Sequence, residues 1–427
     1  MTEISDILFY FAAGLSLLGV IAHEIAGAPK APPFLMACRI GWRAGDDEPV
    51  SICRMAAVWI SVCSRGHGYE RRICRARHRS RHVWQSSPVA NTGTVPLDTH
   101  RDTWRTGNVL HGASVVSKPA TDWTFDGAWP YAPKWFETPE GRLHYVDEGP
   151  GDGPPIVFVH GNPTWSYLYR RFIKAVTGWG FRAIAMDHLG FGRSDKPTGT
   201  DDYAIPRHAD RCEALLESLD LENATLVVQD WGGPIGLTWA ARHPERVSGL
   251  FVLNTFFQRP VSEVPLPAIL KAFRAPVIGE FLVKGGHAFV KGFLFQAGLN
   301  DPASLTETDK AAYLAPHPTW SSRSGVLAFP RQIPSGPKGL VSDFVAAEGA
   351  KLEVAFANKP VKIVWPMKDV AFSVETLDGM WLKAFPHAQV TRVEDAGHFI
   401  QEDAPEIVIP ELMDFIGGTH LPSDGSR

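Results

Sequence analysis

The stretch Leu226-Val-Val-Gln-Asp230-Trp-Gly-Gly233 decides the fold. A β-rich run leads into one acidic residue, and two glycines then open a helix. Strand, sharp turn and helix together make the geometry of a nucleophile elbow. The glycines let the helix pack close behind the turn. Two positions before the acid, where a small residue is usual, stands Val228. An aspartate at the apex brings different chemistry from a serine. With a reference pKa of about 3.9, a carboxylate is ionised at neutral pH without help. It can attack an sp³ carbon directly and form an ester. The competing reading makes Asp230 a helix N-cap, a common role for aspartate.

Outward from the elbow, short apolar strands alternate with helical stretches from about Ser117 onward. Strands are expected at Arg142–Glu148, Pro155–Val159, Phe181–Met186, Thr225–Gln229, Leu250–Asn254, Val361–Trp365 and Gln389–Val393. Helices fall between them, at His208–Leu219 and Gly233–Arg242 among others. That alternation predicts a mostly parallel, doubly wound α/β sheet. The chemically interesting residues follow strand C-termini, where open α/β sheets place their sites. From Arg259 to about Gly339 the rhythm breaks. This stretch is rich in Phe, Ala, Leu and Pro, with helices expected at Leu266–Phe273 and Thr306–Leu314. It reads as a helical cap over a pocket, and it can also complete the core.

Three further stretches carry candidate chemistry. Gly397-His398-Phe399 follows the last strand, and His398 has the place of a general base late in the chain. Trp365-Pro-Met-Lys-Asp369 puts an acid just past another strand. The order Asp230, Asp369, His398 matches nucleophile, acid, base. Asp395 competes as the acid but lies in the same loop as His398, and Glu375 reads as a solvated helical residue. In Val159-His-Gly-Asn162-Pro-Thr-Trp165, a turn can aim the backbone N–H of Asn162 at an oxyanion, paired with that of Trp231. The Asn162 side-chain amide and the Trp231 indole N–H would then form a two-donor anion cradle beside Asp230. Hydrogen bonds to charged partners are worth about 1.5–3 kcal/mol each. Turn chemistry before Pro163 and simple packing are the plainer readings of Asn162 and Trp231.

The bulk numbers bound the rest. The chain has 427 residues, 44% hydrophobic and 21% charged, with a net charge of −4. This is the composition of a globular protein with a large core, and it argues against nucleic-acid binding. Residues 1–115 carry 13 Lys and Arg against 9 Asp and Glu, a basic head on an acidic body. Four of the five cysteines, Cys38, Cys53, Cys63 and Cys74, lie in that head, and only Cys212 lies beyond it. No disulfide framework is implied, and the body suits a reducing, cytoplasmic compartment. The apolar run Leu8–Ala22 is shorter than the ~20 residues that span a bilayer, so membrane contact is not the expectation, and a membrane tether through residues 8–22 is the minor alternative. Residues 38–115 hold no sustained period. Cys63, Cys74, His78 and His82 match no common zinc spacing. The expected layout is an atypical extension over 1–116, a core from 117 to 258, a cap from 259 to 339, a second core segment from 340 to 418 and a tail over 419–427.

Four stretches, HGNPTWSYLYR (160–170), MDHLGFGRSDKP (186–197), VVQDWGGPIGL (227–237) and GHFIQEDAPE (397–406), together resemble the haloalkane dehalogenases of the α/β-hydrolase superfamily. The resemblance covers residues 117–418 and points to the third dehalogenase subfamily. It implies Asp230 as nucleophile, His398 as base and Asp369 as acid. It also implies Asn162 and Trp231 as halide donors and oxyanion hole. In another branch the acid stands at the position that is Asn254 here, which cannot serve. The implied reaction converts a small apolar haloalkane and water to an alcohol and halide through an aspartyl ester, with no metal or cofactor. The alternative is an epoxide hydrolase, which would share the triad but needs a cap tyrosine to protonate the opening ring. Between Arg259 and Gly339 the only tyrosine is Tyr313.

Overall fold

The computed structural model describes residues 121–420. The Leu8–Ala22 run, residues 38–115 and with them the Cys63, Cys74, His78 and His82 set lie outside them. Eight strands form one sheet: β1 (Lys134–Thr138), β2 (Gly141–Glu148), β3 (Pro155–Val159), β4 (Arg182–Met186), β5 (Ala224–Asp230), β6 (Val247–Thr255), β7 (Val361–Pro366) and β8 (Gln389–Val393). Their order is β1-β2-β4-β3-β5-β6-β7-β8. β2 runs antiparallel to both β1 and β4, and the remaining pairings are parallel. This is the expected mostly parallel, doubly wound sheet. The chain passes from β3 to β4 on one side and returns to β5 on the other. The carboxyl ends of β3 and β5 therefore flank the switch point where such sheets bind ligands.

Helices cover both faces, so the central strands are buried on both sides and read as continuous apolar runs. Side chains alternate across the sheet. Val157 and Val159 join one core cluster, with Leu226, Val228 and Ile363. Ile156 and Phe158 join the other, with Val227 and Val364. The edge strand β1 was not expected. Its sequence, KWFET, is short and largely exposed, so it lacks the apolar alternation that marks a half-buried strand.

Between β6 and the helix Leu340–Ala355 lies the inserted helical layer. It holds helices at Ala268–Arg274, Glu307–Leu314 and Ser324–Arg331, and π-helical turns at Glu280–Gly285 and Ala288–Ala297. The helix expected from Leu266 starts later, at Ala268. Pro267 disfavours helical geometry at the residue before it and stands as the N-cap itself. The helix expected from Thr306 begins one residue on, because Thr306 is its N-cap in a reciprocal capping box with Asp309. Among the described residues, no helix is long and apolar enough to cross a membrane.

A buried ionic cluster joins this layer to the sheet domain. Arg170 Nη1 and Nη2 lie 2.5 and 2.9 Å from the two Glu402 oxygens, and Nη2 lies 2.8 Å from Asp309 Oδ1. Tyr167 donates to Asp309 at 2.8 Å, and Tyr313 donates to Glu402. Removing one member of such a buried set strands the rest. Arg170→Met is therefore expected to cost about 3–5 kcal/mol of stability in denaturant titration. Lys368→Met, which breaks the exposed 2.7 Å pair with Asp395, is expected to cost under about 1 kcal/mol.

Candidate active site

β5 ends on Asp230 with φ = +50°, a left-handed conformation rare outside glycine. Three neighbours make it tenable. The Thr255 hydroxyl donates to the Asp230 carbonyl oxygen across the β5–β6 pairing. A Cβ on Gly233 would overlap Thr255 Oγ1, and one on Gly161 would overlap the Asp230 carboxylate. These glycines are there for close approach, as the elbow pattern implies.

The carboxylate is held asymmetrically. Oδ1 accepts the backbone N–H of Asn162 at 2.8 Å, and the Trp231 backbone N–H also donates to the group. Oδ2 lies 3.8 Å from His398 Nε2. Burial pushes the Asp230 pKa up; His398 and the two backbone N–H groups oppose that rise without cancelling it. The charge on the carboxylate is thus disfavoured by its depth and favoured by these partners.

His398 Nδ1 lies 3.0 and 3.1 Å from the two Asp369 oxygens. A carboxylate there fixes the ring proton on Nδ1 and leaves the Nε2 lone pair facing Asp230. The ring is buried and has Phe293, Phe372 and Phe399 around it, with centroids at 5.0, 5.8 and 4.7 Å. Burial pulls the imidazole pKa down. The charge and hydrogen bond of Asp369, with the charge of Asp230, outweigh it, so the net shift is upward.

Two residues missed at the sequence level fasten this loop. Asn254 Nδ2 donates to Asp369 Oδ2 at 2.6 Å and to the His398 carbonyl at 2.8 Å. Gln229 Nε2 lies 3.2 Å from both the His398 carbonyl and Nε2. The available signal was a fully buried amide at the end of each of two otherwise apolar strands, where unpaired polarity is costly. Asn254 was dismissed because it cannot be an acid, yet it ties the acid to the base.

The remaining predicted residues sort clearly. Asn162 and Trp231 are both buried beside Asp230. The Asn162 side-chain carbonyl oxygen has no hydrogen-bond partner. Among the described residues, neither the Asn162 side-chain amide N–H nor the Trp231 indole N–H has one either. The indole sits against Phe256 and Phe329, at 5.4 and 5.6 Å. Asp395 faces solvent and pairs with Lys368, and Glu375 is exposed. Tyr313 is fully buried with its hydroxyl on Glu402, away from the triad. Among the described residues, no group of three or more His, Cys, Asp or Glu is arranged to hold a metal ion.

A nucleophile elbow at the switch point of a doubly wound sheet, with an acid–base pair beyond later strands, defines an α/β-hydrolase. The model of the alpha/beta hydrolase fold family matches residues 154–405. Haloalkane dehalogenase 2 of Mycobacterium tuberculosis is 34% identical over 289 residues, 68% of this chain and 96% of that protein. A cis-3-alkyl-4-alkyloxetan-2-one decarboxylase of Shewanella oneidensis is 40% identical over 285 residues, 65% of this chain and 86% of that protein. Among solved structures, a tetrameric haloalkane dehalogenase of Paraglaciecola agarilytica matches with a TM-score of 0.55 and 31% identity, covering 67% of this chain and 93% of its own. The chain belongs to the alpha/beta hydrolase fold family and, within it, to the haloalkane dehalogenase family.

The opposing influences on His398 are separable by experiment. Asp369→Asn removes the charge and leaves the burial. The imidazole pKa, read by nitrogen-15 NMR of the ring, should lie above 6.5 in the wild-type protein and below it in the variant. A variant value still above 6.5 would show that Asp369 does not control the base.

Proposed function

We propose that the enzyme hydrolyses carbon–halogen bonds of small apolar haloalkanes through an ester on Asp230. The observation that carries this reading is the division of labour between the two Asp230 oxygens: Oδ1 bound to the Asn162 backbone N–H, Oδ2 3.8 Å from His398 Nε2.

In the first step Oδ2 attacks the halogen-bearing carbon, the C–O bond forms and the carbon–halogen pair leaves as halide. A halide needs hydrogen-bond donors and no proton. The unpartnered Trp231 indole N–H and the Asn162 side-chain amide supply the two donors. In the second step His398 Nε2 takes a proton from water, and the hydroxide attacks the ester carbonyl carbon. Oδ1 becomes the oxyanion, already seated on the Asn162 backbone N–H, with the Trp231 backbone N–H donating to the same carboxylate, so these donors are in place as charge develops. Asp369 stabilises the imidazolium, which returns its proton to the departing alkoxide. Positioned general-base help is worth about 10²–10⁴ in rate. Alcohol, halide and one proton are released, and Asp230 keeps one oxygen from water.

An epoxide substrate fits less well. Its opening alkoxide needs a proton, and Tyr313 donates to Glu402 instead. A second reading rests on the 40% identity to the oxetanone decarboxylase. Asp230 would open a β-lactone at its ring C–O carbon, with the freed carboxylate as leaving anion. Loss of carbon dioxide would then form the alkene and expel Asp230. That route consumes no water and gives His398 no proton to move.

Isotope and mass measurements divide the two. With 1-bromobutane in heavy-oxygen water, one turnover is expected to label the Asp230 side chain. His398→Ala is expected to trap a butyl adduct on Asp230 in the intact mass. Label confined to the alcohol sinks the ester mechanism. Lactone turnover that persists in His398→Ala, without bromoalkane turnover in wild-type protein, favours the decarboxylase reading.

The two steps also differ in their pH response. The base works only when neutral, and the His398 pKa is raised. Ester hydrolysis should therefore be present above that raised value and lost as pH falls through it, while alkylation persists to lower pH. Acidic stopped-flow runs should show a burst of one halide per enzyme followed by a slow phase. Burst-free kinetics throughout would remove His398 from the second step.

A further inference from the structure

The cap carries an apolar face that no described residue covers. Val277, Ile278 and Phe281 are 65%, 55% and 50% accessible, and Trp320 is 44% accessible. Phe281 meets Trp320 edge-on at 5.7 Å, and Lys284 Nζ stands 5.6 Å from the Trp320 ring. Contiguous exposed apolar patches mark contact with a partner or a membrane. The backbone sharpens the point. Val277 has φ = +65°, and the Ile278 N–H bonds back to the Pro276 carbonyl at 2.7 Å. This is the rare, strained three-residue turn, here with a β-branched residue at its centre. The strained turn presents two branched apolar side chains to water.

Charge indicates what the face meets. From Arg259 to Lys291 there are five Lys and Arg against two Asp and Glu. One of those acids, Glu280, is already paired with Arg331 at 2.9 Å and Lys284 at 3.1 Å. Residues 259–339 hold nine cations against five anions, whereas 116–258 and 340–427 together hold 20 against 32. A two-fold contact with a second copy would set this positive face against itself. We propose that the cap docks on an anionic lipid surface, with Val277, Ile278, Phe281 and Trp320 in the headgroup–acyl boundary and the exposed Lys271 against lipid phosphates.

A row of aromatic rings runs from the cap helix Ala268–Arg274 to the site. Phe273 lies on the helix that exposes Ile269 and Lys271, and it packs on Phe289 at 5.1 Å. Phe289 meets Phe293 at 5.4 Å, and Phe293 lies 5.0 Å from His398. An apolar molecule dissolved in the bilayer would meet aromatic side chains from the surface to the base. Docking holds whatever the leaving group in the reaction.

The test is co-sedimentation of the full-length protein with vesicles of phosphatidylcholine alone or mixed with phosphatidylglycerol. Binding is expected to the mixed vesicles and to fall with salt. The double variant Ile278→Asp, Phe281→Asp should lower partitioning at least about tenfold, because each buried CH₂ contributes to interfacial affinity. Lys271→Glu should lower it several-fold, and both variants should keep turnover in solution. If the double variant does not fold, quenching by brominated phosphatidylcholine decides: it should be weaker in Trp320→Phe than in wild type. No binding to anionic vesicles overturns the proposal, and so does quenching equal in Trp320→Phe and wild type. Binding unchanged in both cap variants overturns it by placing contact elsewhere, for example on residues 8–22. A wild-type dimer that the double variant dissociates overturns it in favour of a second copy.

Discussion

The structure turns on a carboxylate held at the tip of a strand in a backbone conformation that its residue type disfavours. Left-handed geometry at a non-glycine costs on the order of 1–3 kcal/mol, and at Asp230 it persists because the surroundings leave no alternative. Thr255 fixes the peptide from the neighbouring strand, Gly161 and Gly233 clear the space, and two backbone N–H groups hold the carboxylate. Charged hydrogen bonds of that kind are worth about 1.5–3 kcal/mol each. Together they offset the strain and aim Oδ2 at His398.

The same donors reconcile two demands on one group. A nucleophile must be charged, and a water-excluded site penalises charge. Burial raises the Asp230 pKa, while His398, Trp231 and Asn162 lower it. The base shows the converse balance: burial lowers His398, and Asp369 with Asp230 raises it above the ordinary value. Asn254 and Gln229 keep the loop in register, since both bond the His398 carbonyl. Asp230, His398 and Asp369 are thus one electrostatic unit, and the charge on Asp230 and His398 depends on the placement of the others.

The cap faces two environments. Inward, it joins the sheet domain through the Arg170–Glu402–Asp309 cluster and places Phe293 against the base. Outward, it carries apolar and basic side chains around a strained turn at Val277. The Tyr313 hydroxyl belongs to that bridge, donating to Glu402.

Much of this was legible from residue order alone. Short continuous apolar runs marked the central strands, because strands buried on both faces admit little else. The glycines after Asp230 marked the elbow, because only a residue without Cβ fits there. The edge strand Lys134–Thr138 escaped notice because exposure erases the pattern, and the helix start at Ala268 was misplaced because Pro267 governs it locally. Chain order placed Asp369 and His398 as candidates. What no linear reading could supply was distance. That Asn254 bridges acid and base, that Tyr313 bonds Glu402, and that burial works against the charge on Asp230 all follow from neighbours far apart in the chain. Hydrogen bonds and desolvation act through space, so tertiary structure alone decides them.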